Sequence, residues 1–254
     1  MGERGVVVTG GASGIGLATA RQLLRDGWRV ALADRDPAAL ERARADLNVG
    51  DRAIALQMDV TDETAVGRAV AEAAQRIGPL KGLVNSAGIG QDKAFAEITA
   101  AEFRRILDVN VVGSFLVAQA CAPLIGAAGG GAIVNVASIS GLRGSTGRTA
   151  YGASKGGVIT MTMVMAAELV ELGIRVNAIA PGPVDTPMVQ QLHTAETRQL
   201  YEERVLQRRY GTPEEMAQAV AFLLDDARAS YITGQILAVD GGFSAAGILR
   251  RPRA

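Results

Sequence analysis

A chain of 254 residues in which 48% are hydrophobic is long enough to bury the core of one large α/β domain. Basic and acidic residues balance at 26 each, which argues against a polyanion-binding surface and favours small-molecule chemistry. The single Cys121 and single His193 exclude an intramolecular disulfide and form no recognisable zinc or Cys-His catalytic cluster, so we expect no metal. With no signal-peptide pattern and no apolar run of about 18 residues, we expect a cytoplasmic protein that binds neither membrane nor nucleic acid.

The first elements are a β-branched run at Gly5–Thr9, a glycine-rich turn and a helical pattern that ends at Gly27. Glycines let a backbone approach a pyrophosphate closely, and the free N–H groups at a helix start attract its negative charge. The spacing Gly-x3-Gly-x-Gly departs from the usual G-x-G-x-x-G fingerprint, and a turn that serves only tight packing is the alternative. We predict that the turn binds the pyrophosphate of a dinucleotide through Gly10, Ser13, Gly14, Ile15 and Gly16.

The second predicted strand covers residues 29–33 and is followed at its carboxyl end by Asp34. An acid about 20 residues after the glycine turn can accept hydrogen bonds from the adenosine ribose hydroxyls and repel a 2′-phosphate. Arg35 follows immediately and can pair with such a phosphate. We therefore expect NAD as the cofactor, with NADP less favoured. The alternative for Asp34 is a polar residue that merely ends the strand.

Strand and helix patterns then alternate along the chain. Helices are predicted at Pro37–Leu47, after a Thr61 cap, at 100–125, at 150–172 and at Pro213–Leu224, and strands at 53–58, 82–84, 132–137, 174–180 and Ile236–Val239. This alternation is typical of an α/β fold with a doubly wound parallel sheet and helices on both faces. No repeat or linker divides residues 1–254, so we expect a single domain.

Ligands of such sheets gather at the carboxyl ends of the strands, and several predicted strands end in glycines, acids or amides. We expect these strand ends to form one cofactor site. Its predicted members are Asp59 and Val60 after the third strand, with Asp59 near the adenine, then Asn85, Ala87 and Gly88 after the fourth, and Pro181 and Gly182 after the sixth.

Two segments are predicted to cover this site: the loop at 139–149 and the more polar stretch at 184–210, which we interpret as an inserted helical lid. The polar side chains that they and the preceding turns offer are Gln91, Arg143, Arg148, Gln190, Gln191 and His193. For His193 an exposed position in the lid is favoured over substrate contact. The short basic tail at 248–254 is predicted to be solvated.

Tyr151 and Lys155 are four residues apart at the start of the predicted 150–172 helix, so their side chains share one helix face. An ammonium beside a partly desolvated phenol lowers the phenol pKa from about 10 towards the range of proton exchange with an alcohol or carbonyl. Ser138 ends the fifth strand and joins this pair, although a surface helix with an accidental Tyr and Lys is the alternative. Asn110 lies in an apolar row and is either a satisfied core amide or a kink that holds a water near Lys155.

The order and approximate spacing of these residues resemble the classical short-chain dehydrogenase/reductase family, over the chain to about Gly242. The motifs that carry the resemblance are Thr9-Gly10-x3-Gly14-Ile15-Gly16, Asp59, Asn85-x-Ala87-Gly88, Asn110, Ser138, Tyr151-x3-Lys155 and Pro181-Gly182 with Thr186. Ser86 stands where many members carry a second Asn, which puts nothing catalytic in doubt.

The resemblance implies a single Rossmann-type domain with about seven parallel strands, usually assembled as a homotetramer. It implies that Tyr151 is the general acid/base, that Ser138 hydrogen-bonds the substrate oxygen and that Lys155 holds the nicotinamide ribose. It also implies that Asn110 anchors a proton-relay water, and that Val184 and Thr186 complete the cofactor site, with Thr186 at the nicotinamide carboxamide. These roles agree with the chemistry expected of a phenol, a hydroxyl and an ammonium beside a redox cofactor.

The leading hypothesis is an oxidoreductase that transfers a hydride between NAD(H) and a secondary alcohol or ketone, with a polyol, sugar or hydroxy-acid as substrate. A reductase of 3-oxoacyl thioesters on acyl carrier protein is the alternative. A non-catalytic dinucleotide-binding redox sensor is disfavoured because Asn110, Ser138, Tyr151 and Lys155 are all intact. The helices at 100–125 and 150–172 carry more apolar surface than one sheet face covers, which predicts contacts between subunits.

Overall fold

Seven strands lie side by side in one parallel sheet in the computed structural model, which describes residues 4–245. In chain order the strands are β1 Gly5–Thr9, β2 Arg29–Asp34, β3 Ala53–Gln57, β4 Leu80–Asn85, β5 Gly131–Val136, β6 Ile174–Pro181 and β7 Ile236–Val239. Their order across the sheet is β3-β2-β1-β4-β5-β6-β7, so the direction of winding reverses between β1 and β4. A parallel sheet with this reversal has its ligand crevice beyond the carboxyl ends of those strands. The predicted fold class is confirmed.

Helices cover both faces of the sheet. They are α1 Gly14–Arg25, α2 Pro37–Leu47, α3 Glu63–Ile77, α4 Ala100–Leu107, α5 Gly113–Ala127, α6 Thr149–Glu168, α7 Pro187–Leu192, α8 Ala195–Arg204, α9 Pro213–Leu224 and α10 Asp226–Ala229. Side chains of α1, α2 and α9 pack in one core, and those of α3, α5 and α6 pack in the other. Because strands between two helix layers are buried on both faces, they are mainly apolar, and all five residues of β1 are buried.

The start of α3 differs from the prediction. Thr61 does not cap the helix, because the side chain of Asp62 accepts the N–H of Ala65 at 3.0 Å and takes the capping position. The hydroxyl of Thr61 instead donates to Asp59 at 2.7 Å. Asp62 makes the better cap here because it lies one residue nearer the helix. The side chain of Thr61 is then available to hold Asp59.

The predicted helix at 100–125 is interrupted in the structure by a π-helical turn at Asp108–Val112, which separates α4 from α5. The turn contains Asn110, which is 1% exposed. Such turns widen the helix locally and often occur at functional sites. The predicted helix at 150–172 also ends early: α6 stops at Glu168, and a 3₁₀ turn at Val170–Leu172 leads to Gly173 with a left-handed φ of 68°.

By length and composition alone, Ala100–Ala127 is apolar enough to cross a membrane. Core helices of water-soluble folds pass the same test. In the structure Val117, Cys121 and Ile125 are fully buried and belong to the core between the sheet and its helix layer. Packing within the fold therefore accounts for the apolar character of this segment.

The predicted lid at 184–210 contains α7 and α8. The α7 helix begins at a Thr186 cap, whose side chain accepts the N–H of Val189 at 3.3 Å. Val184 at the start of the segment is tied by a parallel bridge to Gly211, the residue just after its end. The segment thus leaves the sheet after β6 and returns to it before α9. The basic tail predicted at 248–254 lies outside the described residues.

Candidate active site

A cavity of about 810 Å³ opens at the carboxyl ends of β1, β2, β4, β5 and β6, with α7 on one side. Most of the predicted site residues lie in its wall. These are Gly10, Ser13, Gly14, Ile15, Asp34, Arg35, Asp59, Val60, Ala87, Gly88, Ser138, Tyr151, Lys155, Pro181, Gly182, Val184 and Thr186. The predicted residues outside the described wall are Gly16, Asn85 and Asn110, and each has another place in the structure.

The glycine turn between β1 and α1 has the features of an anion site. Gly10 and Gly14 have φ of 62° and 52°, a left-handed conformation that glycine adopts at little cost. Ser13 precedes α1 without a side-chain cap, whereas α2, α3 and α4 each begin at a capped residue. The first N–H groups of α1 thus lack a side-chain partner. A Cβ on Gly16 would come within 2.2 Å of the Gly10 carbonyl oxygen, so Gly16 permits close packing rather than lining the cavity.

Asp34 lies in the cavity wall at the end of β2. One carboxylate oxygen accepts the N–H of Ala12 at 3.3 Å, and the other accepts the N–H of Asp36 at 3.2 Å. These bonds fix the carboxylate and still leave lone pairs for further donors. Arg35 lines the same cavity, as does Arg42 of α2, which the sequence analysis missed. The short connection between β2 and α2 could have indicated Arg42, because it keeps the first turns of α2 near the strand end.

Asp59 and Val60 line the cavity beyond β3. The Asp59 carboxylate accepts the N–H of Thr61 at 2.9 Å and its hydroxyl at 2.7 Å. These two hydrogen bonds lower the pKa of Asp59 below its ordinary value because they favour the charged form. The carboxylate is therefore ionised and held in a fixed orientation at neutral pH.

The side chain of Asn85, which was predicted as a cofactor contact, lies outside the described wall of the cavity. Asn85 is 3% exposed, and its amide donates to the Ser114 carbonyl at 3.1 Å and to the Asn135 side chain at 3.0 Å. It joins β4 to β5 and α5 because its side chain faces that helix layer. The following turn is held by Thr9, whose hydroxyl accepts the N–H of Ala87 at 3.0 Å.

Ser138, Tyr151 and Lys155 meet at one wall of the cavity. A hydrogen bond joins the hydroxyls of Ser138 and Tyr151, and Ser138 itself is 8% exposed. The Lys155 ammonium donates to the carbonyl of Val136 at 2.7 Å and lies 5.8 Å from the centre of the Tyr151 ring. The end of β5 and the first turns of α6 therefore bring together a hydroxyl, a phenol and an ammonium that are separate in sequence.

Burial sets the protonation equilibria at this wall. It raises the pKa of Tyr151, while the hydrogen bond with Ser138 and the charge of Arg148 act in the opposite direction. It also lowers the pKa of Lys155 to about 8. The predicted lowering of the Tyr151 pKa by Lys155 is therefore wrong for this structure. The ammonium lies over the ring and bonds to Val136, and the cation that acts on the Tyr151 hydroxyl is Arg148.

Asn110 lies behind the wall as a fully bonded core amide. Its amide nitrogen donates to the Ile89 carbonyl at 3.0 Å and to the Ser154 hydroxyl at 2.9 Å, and its oxygen accepts the N–H of Ile89 at 2.9 Å. Ile89 lines the cavity. The side chain of Asn110 is thus a satisfied core amide, which is the first of the two interpretations from the sequence. The π turn around it is the helix irregularity that the second interpretation expected.

Of the polar side chains predicted to cover the site, Gln191 alone lies in the described wall, and the 139–149 loop contributes no residue to it. Arg143 donates to the Ser244 carbonyl, and Gln190 donates to Asp185 at 3.3 Å. The cover is mainly apolar. Its residues, which the sequence analysis missed because apolar lid residues form no motif, are Ile89, Gly90, Met188, Val189 and Leu192.

His193 is half-buried, which corrects the expected exposed position. It lies outside the wall and contacts Arg148, Tyr201 and Tyr210. Burial lowers the pKa of His193, and the charge of Arg148 lowers it further. Neither Arg148 nor His193 is among the described residues of the cavity wall. Together they connect the start of α6 to the lid.

Residues 10–244 match the model of a family of short-chain dehydrogenases/reductases that is described as enoyl-(acyl carrier protein) reductase. The chain belongs to the short-chain dehydrogenase/reductase family. This confirms the resemblance inferred from the motifs, and with it the oxidoreductase fold.

This short-chain dehydrogenase/reductase is 44% identical over 244 residues to cis-4-hydroxycyclohexanecarboxylate dehydrogenase of Sinomonas cyclohexanicum, with 96% of this chain and 97% of the relative covered. It is 42% identical over 246 residues to 2-(S)-hydroxypropyl-CoM dehydrogenase 3 of Xanthobacter autotrophicus, with 94% of this chain and 96% of the relative covered. Among solved structures it is similar to a 7α-hydroxysteroid dehydrogenase complexed with NADH and 7-oxo glycochenodeoxycholic acid. That similarity has a TM-score of 0.90 and 33% identity, over 94% of this chain and 93% of the other.

Proposed function

We propose that this protein is a cytoplasmic NAD(H)-dependent dehydrogenase that interconverts a secondary alcohol and a ketone. The observation that carries the proposal is the shared cavity wall, with the Ser138, Tyr151 and Lys155 side chains in one part and the uncapped glycine turn with Asp34 in another. The similarity to a hydroxysteroid dehydrogenase complexed with NADH supports a nicotinamide dinucleotide as the occupant. When bound, that group supplies the hydride acceptor or donor.

The chain's residues fit such a dinucleotide along the length of the cavity. The turn around Gly10 and Gly14 would take the pyrophosphate, since its backbone is open and the first N–H groups of α1 have no side-chain cap. Asp34 would accept hydrogen bonds from the adenosine ribose hydroxyls, and Asp59 with Val60 would flank the adenine. Lys155 would hold the nicotinamide ribose, and Thr186 the carboxamide.

Tyr151 is proposed as the proton donor and acceptor, and Ser138 as its partner in holding the substrate oxygen. During ketone reduction the Tyr151 hydroxyl gives its proton to the carbonyl oxygen, while Ser138 donates a hydrogen bond to the same oxygen. During alcohol oxidation the phenolate takes the hydroxyl proton. Asn110 would act as a positioning residue, because its amide bonds fix the backbone of Ile89 in the cavity wall and the hydroxyl of Ser154 on α6.

The substrate is proposed to be a polyol, a sugar or a hydroxy-acid. A relative that acts on a hydroxycyclohexanecarboxylate favours the hydroxy-acid. The test is a panel of secondary alcohols and hydroxy-acids with NAD, followed by NADH absorbance, with a 3-oxoacyl thioester and NADH as a separate arm. We expect oxidation of at least one alcohol. A higher kcat/KM for the thioester would instead support the reductase alternative, and no turnover in any arm would support the redox sensor.

Cofactor preference depends on Asp34, and the wild type is expected to use NAD with a kcat/KM about 10-fold to 100-fold above that for NADP. A charged acceptor of ribose hydroxyls contributes about 1.5–3 kcal/mol, and a 2′-phosphate near the carboxylate would add repulsion. Asp34→Ser should shrink or reverse the ratio, because Arg35 and Arg42 in the same wall can then pair with the phosphate. The measurement is kcat/KM with both cofactors.

The matched control is Asp34→Asn, which removes the charge and keeps one side-chain oxygen that can accept the N–H of Ala12 or that of Asp36. It should give an intermediate ratio. Adding Arg35→Ala to Asp34→Ser should reduce the use of NADP again. Equal use of both cofactors by the wild type would show that Asp34 does not set the preference.

Subunit contacts are proposed through the outer faces of α5 and α6, which lie on the same side of the sheet. Phe115, Met163 and Val164 are 45%, 46% and 49% exposed there, more than isolated surface residues require. We expect a homotetramer, and therefore a mass by light scattering well above the chain mass of 26.3 kDa. Phe115→Glu combined with Val164→Glu should give a smaller species. Leu200→Glu, at an exposed position in α8, is the control that should not. A wild-type monomer at micromolar concentration would exclude the assembly.

A further inference from the structure

Arg148 joins two parts of the cavity cover although it lies outside the wall. It immediately precedes α6 and is 8% exposed. Its guanidinium donates to the Gln91 carbonyl at 3.2 Å and to the His193 ring at 2.7 Å, and it lies 3.5 Å from the Asp92 carboxylate. A buried guanidinium with these partners is fixed in orientation, since Nη1 bonds to Gln91 while Nη2 contacts both His193 and Asp92. Arg148 is therefore a firm anchor beside the proposed catalytic helix.

His193 is the lid's side of this contact. It follows α7 directly, and α7 supplies the cavity residues Met188 and Leu192. The second ring nitrogen of His193 is 2.8 Å from the Tyr210 hydroxyl, and the ring stacks on Tyr201 with centroids 5.0 Å apart and planes within 4°. One imidazole thus connects α7, α8 and the end of the lid at Tyr210 to Arg148.

The hydrogen bonds determine the protonation state of His193. Arg148 has donors only, so Nε2 of His193 must offer a lone pair, and the ring is then neutral. The proton resides on Nδ1, which donates to the Tyr210 hydroxyl. A protonated imidazole carries donors on both nitrogens and a positive charge, so it would repel Arg148 and lose the bond.

We propose that Arg148, His193 and Tyr210 form a latch that holds the lid closed over the cavity while His193 is neutral and releases it when His193 is protonated. The proposal deepens the function given above and rests on it in one respect, namely that the closed lid retains the dinucleotide. The latch makes His193 a positioning residue. Its effect is on the closing and opening of the lid rather than on the proton transfer.

The charged groups around His193 favour its neutral form. Arg148 and Arg198 act against a positive ring, and Asp92 is the carboxylate that acts in its favour. Burial of the ring adds to the effect of the two cations and lowers the pKa of His193. Arg198 is held by Asp185 at 3.2 Å and lies 4.2 Å from the centre of the Tyr210 ring, so it remains near the latch. The latch is therefore closed at neutral pH and opens on acidification below the ordinary imidazole pKa of about 6.5.

The test compares three latch variants with the wild type in two measurements. His193→Ala removes both hydrogen bonds, and Tyr210→Phe removes one hydroxyl while it keeps the ring packing. His193→Gln keeps a neutral acceptor for Arg148 and a donor for Tyr210 without a titratable ring. Gln199→Ala, an exposed change in α8 at a side chain that bonds to Glu203 rather than to a latch residue, is the control. The measurements are the rate of NADH release by stopped-flow fluorescence and the rate of trypsin cleavage after the lid arginines at fixed neutral pH.

We expect His193→Ala to raise both rates about tenfold or more, since it removes a hydrogen bond to a charged group. Tyr210→Phe should raise them less, and His193→Gln should match the wild type at neutral pH. Wild-type NADH release should accelerate as pH falls from about 8 to about 5, while release from His193→Gln should stay nearly constant. In steady state the Ala variant should raise KM for the dinucleotide more than it changes kcat for alcohol oxidation.

Unchanged trypsin cleavage in His193→Ala and Tyr210→Phe would overturn the latch, as would equal pH dependence of release in the wild type and His193→Gln. The proteolysis needs no dinucleotide, so it separates the two proposals. If the wild type fails to bind NADH, the proposed function is wrong, but faster lid cleavage in His193→Ala still supports the latch. Faster cleavage in Gln199→Ala to the same extent would indicate general loosening of α8 and would also overturn it.

Discussion

Tyr151→Phe is expected to lower kcat for alcohol oxidation by about 10²–10⁴, the usual contribution of a general acid or base. The change removes one oxygen and keeps the ring that packs beside Lys155, so the fold and NADH binding should be retained. Ser138 would lose its hydrogen bond with the Tyr151 hydroxyl and keep the one that it accepts from the N–H of Ser140. The measurement is kcat on the best substrate of the panel, together with the Kd of NADH by fluorescence.

Tyr231→Phe provides the matched control, because Tyr231 is fully exposed and the same oxygen is removed there without consequence. Since burial raises the pKa of Tyr151, wild-type oxidation should also increase as pH rises above neutrality, when more of the phenolate forms. A loss of less than about tenfold in Tyr151→Phe would contradict the proposed role, given the range expected of such groups.

Lys155→Met is expected to reduce kcat/KM by about 10²-fold or more, because it removes a positioned charge from the cavity wall. Its proposed task, holding the nicotinamide ribose in position for hydride transfer, is then lost. The Kd of NADH should therefore rise as kcat falls, in contrast to Tyr151→Phe, in which kcat alone falls. A variant with unchanged NADH affinity would show that Lys155 does not contact the cofactor.

The same change should stabilise the protein when no dinucleotide is present. Burial lowers the pKa of Lys155 from 10.5 to about 8, so the folded state binds the proton less readily than the unfolded chain. The cost of burying the charge is fully present below pH 8 and declines as pH rises to 10.5, above which the amine is neutral in both states. Lys155→Met should therefore have the higher Tm at pH 7, and its advantage should shrink across that window.

Lys81→Met is the control for the stability measurement. Lys81 also donates to backbone carbonyls, those of Ala128 and Gly130, but it is half-buried and lies at the opposite end of the sheet. Its loss should lower Tm slightly and leave activity unchanged. If Lys155→Met lowers Tm at pH 7 as Lys81→Met does, the bond to Val136 outweighs the burial of charge, and the sign of the prediction is wrong.

The strands and helices could be predicted from the sequence wherever one short-range signal dominated. The predicted bounds of α2, α9, β1 and β7 are those of the structure, since each has a clear apolar pattern between strong start and stop residues. The prediction failed where two signals competed within a residue or two. Adjacent Thr61 and Asp62 can both cap α3, and the apolar pattern through Asn110 continues unbroken across a π turn that only packing imposes.

The sequence by itself determined which residues are proposed to carry the chemistry of this short-chain dehydrogenase/reductase. A glycine turn after a strand, an acid at the next strand end, and Tyr151 one helical turn before Lys155 are local patterns, and the i, i+4 geometry of a helix or the end of a strand is enough to interpret them. The same local signals placed most predicted site residues at the edge of the sheet where the cavity is found.

Only the tertiary structure decided which side chains meet across long separations and how burial changes their pKa values. Arg148 and His193 are 45 residues apart and form no motif, yet the return of the lid over the sheet brings them within 2.7 Å. Asn85 was predicted in the turn after a strand but is the last residue of β4, and its side chain faces α5, because α5 packs on that side of the strand. Burial, which depends on every neighbour in space, raises the pKa of Tyr151 where the spacing to Lys155 alone predicted the opposite.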